Sequence, residues 1–113
     1  MTNSRTDAEY RQEVVVDTAP GAAGYFTNAI NPRQLGKKLG THEVYFSIRG
    51  DEGVMTVTLQ FLRNDETDWE DYATYDNPGA VVTLPEKRAG FRWRAGVKFG
   101  DFTSGEFTIG FNF

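Results

Sequence analysis

The sequence predicts an all-β protein: a single antiparallel β-sandwich, jelly-roll or Ig-like, of six to eight strands with an extended N-terminal arm. Three observations predict it. First, Phe91, Trp93, Ala95, Val97 and Phe99 alternate with Arg92, Arg94, Gly96 and Lys98. After the turn from Gly100 to Gly105, Phe107, Ile109, Phe111 and Phe113 alternate with Glu106, Thr108, Gly110 and Asn112. A period of two over this length means strands with one face buried and one in water. Second, Val44, Phe46 and Ile48 alternate with polar residues and are followed by Met55, Val57, Leu59 and Phe61 in the same pattern. Third, turn signals recur about every 8 to 12 residues, and no segment holds a helical period.

Taken in order, residues 1–11 are polar and mixed in charge, which suits a flexible arm. Gln12 to Asp17 contains Val14-Val15-Val16, a short strand candidate. Three successive valines cannot share one face, so cover for both faces is expected, from within the fold or from a neighbouring subunit. Thr18 to Gly24 is a loop of small residues, and Tyr25 to Ile30 is a second short strand candidate. Asn31-Pro32 starts a turn, and Gly36-Lys37-Lys38-Leu39-Gly40 is a basic loop. Gly50-Asp51-Glu52-Gly53 is the kind of turn that joins two antiparallel strands, so 43–61 reads as a hairpin. Asn64 to Asp68 turns the chain again, Trp69 to Tyr75 is a strand, and Asn77-Pro78-Gly79 breaks it. Ala80 to Leu84 is short and ends at Pro85; Glu86 to Gly90 leads into a C-terminal hairpin. The domain division is therefore an arm with a short strand at 1–24 and a sandwich domain at 25–113.

Composition bounds the function. A chain of 113 residues supports one core. The aromatic share of 14% is high and suits pleated surfaces. A net charge of −4 argues against nucleic acid as partner, because phosphate binding needs clustered Lys and Arg. Without cysteine there is neither a disulfide framework nor a thiolate metal site. The polar start carries no secretory signal pattern, and no apolar run reaches the roughly 18 to 20 residues that span a bilayer. The expectation is a soluble protein made in the cytoplasm, with no membrane partner.

No constellation points to catalysis, a cofactor or a metal. His42, the single histidine, has no Ser, Cys or Asp arranged beside it and reads as a loop residue. Asp65, Glu66, Asp68, Glu70, Asp71 and Asp76 form an acidic run. Oxygen-rich loops hold Ca²⁺, but this spacing misses the EF-hand pattern and its glycine, so the ordinary reading is a solvated edge. That edge can also meet Arg92, Arg94 and Lys98, within one subunit or between subunits. Paired carboxylates on a turn and short strand do not amount to a glycosidase site. Trp69, Tyr72 and Tyr75 offer rings on which sugar stacks, whereas Trp69 and Trp93 also suit a sandwich core. Tyr72, out of phase with Trp69, is the better candidate for exposure.

From Val44 to Phe113 the chain resembles small β-sandwich structural proteins of tailed bacteriophage virions. The resemblance rests on Val44-Tyr45-Phe46-Ser47-Ile48-Arg49-Gly50, then Met55-Thr56-Val57-Thr58-Leu59-Gln60-Phe61, an acidic turn closing on Trp69-Glu70-Asp71-Tyr72, and Phe91-Arg92-Trp93-Arg94-Ala95-Gly96-Val97-Lys98 with Gly100-Asp101-Phe102-Thr103-Ser104-Gly105. Such proteins often carry Gly-Gly before the Trp, where this chain has Asp65-Glu66-Thr67-Asp68. Residues 1–40 carry no part of the resemblance.

The resemblance implies a non-enzymatic virion protein, first of all one that decorates or cements the capsid and binds the major capsid protein, as a homo-oligomer. A head–tail connector, a tail or fibre component, and a carbohydrate-binding module are the alternatives. Candidate interface residues are Val14, Val15, Val16, Tyr25, Lys37, Lys38, Tyr72, Arg92 and Arg94. The valine run behind a polar arm is the expected anchor, since exposed edges and apolar patches mark interfaces. On this reading, deleting residues 1–17 leaves a folded domain that no longer assembles.

Overall fold

A computed structural model of the chain describes residues 3–8, 11–30, 45–50, 53–63, 67–79, 81–83 and 92–112. The described strands are β1 (Ser4–Ala8), β2 (Arg11–Val16), β3 (Tyr25–Phe26), β4 (Tyr45–Arg49), β5 (Val54–Leu62), β6 (Glu70–Tyr75), β7 (Val81–Thr83), β8 (Arg92–Ser104) and β9 (Phe107–Asn112). They form two antiparallel sheets. The first has the order β1-β2-β9-β4-β7 and the second the order β3-β8-β5-β6. The all-β expectation holds.

One core lies between the sheets. Val14, Val16, Phe46, Ile48, Phe107, Ile109 and Phe111 come from the first sheet. Met55, Val57, Leu59, Trp93, Ala95 and Val97 come from the second, and Ile30 joins them. The period of two thus located the inner faces of β4, β5, β9 and the first half of β8.

The pairing differs from expectation. Residues 43–61 do not make a hairpin: β4 pairs with β7 and β9, while β5 pairs with β6 and β8. Likewise β8 and β9 lie in different sheets. Both links are arches from one sheet to the other. The physical reason is that alternation reports which face of a strand is buried, and both partners of an arch have that face. The turn after Gly100 is also shorter than expected, because β8 continues to Ser104. Its register against β5 shifts between Met55 and Val57, whose partners are Phe102 and Val97. The extra residues reverse the alternation, so Phe99 faces outward and is 67% exposed, not buried.

The expected arm is corrected for the described residues. β1 pairs with β2 and β2 with β9, so residues 4–16 belong to the first sheet. Val14 and Val16 are fully buried in the core and present no side chain to a neighbour; Val15, on the other face, is half-buried. The cover for the inner face comes from within the fold.

Candidate functional site: an arginine held between two rings

The outer face of the second sheet is built by the opposite phase of β8 and β5. Arg92, Arg94, Gly96 and Lys98 lie on one strand, and Thr56, Thr58 and Gln60 on its neighbour. Gly96 is set by close approach: a Cβ there would stand 2.0 Å from the Tyr25 carbonyl oxygen and 2.6 Å from Phe26 Cα. Its absence lets β3 lie against β8. The chain beyond β3 keeps to β8 as well. The Thr27 amide donates to the Ala95 carbonyl at 2.9 Å, and the Ala95 amide donates to the Thr27 hydroxyl at 3.2 Å. Ile30 and Trp93 exchange backbone hydrogen bonds of 2.9 and 2.8 Å. This fixes Phe26 beside Arg94.

The Arg94 guanidinium is stacked between two aromatic rings, 4.3 Å from the Phe26 centroid and 4.4 Å from that of Trp69. Such stacking is worth about 0.5 to 2 kcal/mol per ring. Arg94 Nε donates to Gln60 Oε1 at 2.8 Å, and Gln60 Nε2 donates to Asp71 Oδ1 at 2.9 Å. Lys98 Nζ donates to Asp71 Oδ2 at 2.5 Å. The Lys98 ammonium, and after it the Gln60 amide, hold the Asp71 carboxyl below its ordinary range. Burial pushes the Arg94 guanidinium down from its ordinary value. The expected meeting of the acidic edge with the basic face therefore occurs within one subunit, through Lys98 and Asp71.

Two open hollows share Arg94 and Phe26 as a wall. One, of about 320 Å³, reaches Ala22, Lys98 and Phe99. The other, of about 370 Å³, is lined by Arg5, Thr27, Asn28 and Trp69. Arg5 crosses from the first sheet: its Nε and a terminal nitrogen both donate to the Phe26 carbonyl, at 3.1 and 2.8 Å. Its guanidinium also lies 5.0 Å from the Tyr25 centroid.

The sequence-derived candidates fall in separate places. Arg94 and Tyr25 border this surface; Arg92 is exposed on the same strand. Tyr72 is 47% exposed at the sheet edge, its ring 5.0 Å from Trp93 and 6.2 Å from Phe61. Tyr75 packs on Phe46 at 5.4 Å, so these two tyrosines do not form one flat platform. Burial, and then Tyr72, push the Tyr75 hydroxyl up. Trp69 belongs to the outer face and not the core, whereas Trp93 is 1% exposed. Lys37, Lys38, His42, Asp65 and Glu66 lie outside the described residues. Phe26 and Arg5 had no signal in the sequence, because β3 and β1 reach the site only through tertiary pairing, and the alternation of β5 gave Gln60 its outward phase but not its partners.

Among the described residues, no group of three or more His, Cys, Asp or Glu is placed to hold a metal ion, and no helix is long and apolar enough to cross a membrane. Comparison with protein-family models, with curated proteins and with solved structures finds no match to this chain.

Proposed function

We propose that this chain is a non-enzymatic structural protein of a tailed-phage virion, first of all a capsid decoration protein, built as a jelly roll. The strand order carries the reading. β2-β9-β4-β7 faces β3-β8-β5-β6, four strands against four, with β1 added at one edge. The chain crosses between the sheets at most connections, and β2 lies beside β9. That winding is the one expected of an eight-strand double-sheet jelly roll, an architecture of viral capsid and lectin domains. The resemblance of residues 44–113 to small virion proteins points the same way.

With β1 and β2 inside the fold, the contact to the major capsid protein and to further copies falls to loops and outer faces. Phe99 supplies the apolar part of such a contact, being the most exposed large hydrophobic side chain among the described residues. The test is compositional. Particles purified from the source that encodes the chain should hold it in many copies each, and Phe99→Ser should lower that number. Absence of the chain from washed particles would overturn the proposal.

A carbohydrate-binding module is the second reading. One observation favours it: the Tyr72 ring is 47% exposed, and lectins share the architecture. Loss of saccharide binding in Tyr72→Ala, with particle occupancy unchanged, would select it.

A further inference from the structure

We infer that the hollow between Arg5, Arg94 and Trp69 is a binding site for an acidic sugar, a pyranose carrying a carboxylate. The inference rests neither on the virion reading nor on Tyr72. In a chain of net charge −4, this hollow of about 370 Å³ is lined, among the described residues, by two guanidinium groups and by no carboxylate. Small-molecule sites occupy roughly 300 to 1,000 Å³.

The two arginines are already committed to fixed positions. Arg94 has both faces covered by rings and its Nε engaged by Gln60, which leaves its two terminal amino groups. These have no acceptor among the described residues, and Arg94 forms no ion pair there. By contrast Arg11, Arg49, Arg63 and Lys98 each have a carboxylate. A planar fork of this kind matches a carboxylate with two parallel hydrogen bonds. Arg5 is held by the Phe26 carbonyl through Nε and one terminal nitrogen, so its other terminal nitrogen is left. Fixing both side chains beforehand removes most of the ordering entropy that binding otherwise costs.

The remaining lining suits the rest of a sugar. The half-buried Trp69 offers the indole surface that Arg94 does not cover for the apolar face of a pyranose, and the exposed Asn28 offers polar groups for hydroxyls. Asn28 Nδ2 is itself oriented by Asp7 Oδ2 at 3.3 Å. A free phosphate would use the cations but leave the indole without a role.

The test is a titration of the intact protein with trigalacturonate, followed by ¹H–¹⁵N NMR. Its methyl ester, an oligomer of glutamate, and inorganic phosphate serve as comparison probes. The expected result is that trigalacturonate shifts the Trp69 indole N–H and the Arg5 and Arg94 Nε–H signals, and that the ester binds at least tenfold more weakly. Arg94→Lys keeps the charge and removes the fork and the stack; it should lose tenfold or more in affinity with the amide spectrum otherwise preserved. Equal binding of acid and ester would overturn the inference. So would no saccharide binding, tighter binding of oligoglutamate or phosphate, or shifts centred on Tyr72. Because the wild-type titration needs no variant, the inference stays open to refutation even if Arg94→Lys folds poorly.

Discussion

Two charged groups, Glu13 on the outer face of the first sheet and Arg94 on that of the second, are held in opposite ways. On the first sheet, Glu13 is 7% exposed although it carries a carboxylate. It lies over Gly110, where a Cβ would stand 2.7 Å from Glu13 Cγ and 2.2 Å from the Gln12 carbonyl oxygen. Arg11 reaches it at 3.3 Å and Arg49 reaches it from β4. The charge is answered locally, and three strands are tied by one cluster. On the second sheet, Arg94 is held as firmly but by rings and an amide, with no carboxylate among the described residues. Both groups are positioned; one is neutralised and one is not. A charge compensated inside the fold serves the fold, and one left uncompensated is available to something else.

Four experiments break or sharpen this contrast. The largest effect is expected from deleting residues 1–17. It removes β1, β2, both Glu13 and the core residues Val14 and Val16, so the first sheet should be lost and cooperative thermal unfolding should disappear. A folded truncated domain would return the segment to the status of an arm. Second, Trp93→Ala should cost about 3 to 5 kcal/mol in denaturant unfolding, as a large buried aromatic packed on Phe61 and Tyr72. A loss below about 1 kcal/mol would mean that the face assignment of β8 is reversed.

Third, Glu13→Gln should cost about 1 to 2 kcal/mol, since the arginines it abandons are half-exposed and regain water. Arg94→Gln should cost less in stability than Glu13→Gln while changing ligand binding more. The opposite ranking would cancel the distinction between the faces. The smallest effect concerns Asp71. Its carboxyl titrates below its ordinary value of 3.8 when folded, so the protonated form is favoured by unfolding. Its contribution is present above that ordinary value and is lost as pH falls through the folded one. Lys98→Ala should therefore lower stability slightly near neutrality and flatten the acid loss below about pH 4, where the two curves converge. A change centred near pH 6 would assign the effect to another group.

The inner faces were legible in the sequence because burial imposes a period of two on each strand separately. Phe46, Ile48, Val57, Leu59, Trp93, Val97 and Ile109 are all buried where alternation puts them. The partners were not legible. Gly50-Asp51-Glu52-Gly53 turns the chain equally well into a hairpin or into an arch, and only packing decides. Phe99 failed for a related reason: the register shift opposite Thr56 leaves no mark in the alternation of β8. The candidate site was least legible of all. Arg94 could be named from its phase, but Phe26, Gln60, Trp69 and Arg5 meet it from four other segments. Local pattern carries no information on such a meeting.

The pairing of β2 with β9 has a kinetic consequence. Val14 lies opposite Ile109, and Arg11 opposite Asn112, so the first sheet is closed by segments nearly a full chain apart. The cost of bringing such segments together grows with the logarithm of the loop between them and falls before any contact offsets it. A ribosome must release β9 before β2 has its central neighbour. Until then Val14 and Val16 remain on an open strand edge, the part of the nascent chain most exposed to capture by another copy or to a chaperone.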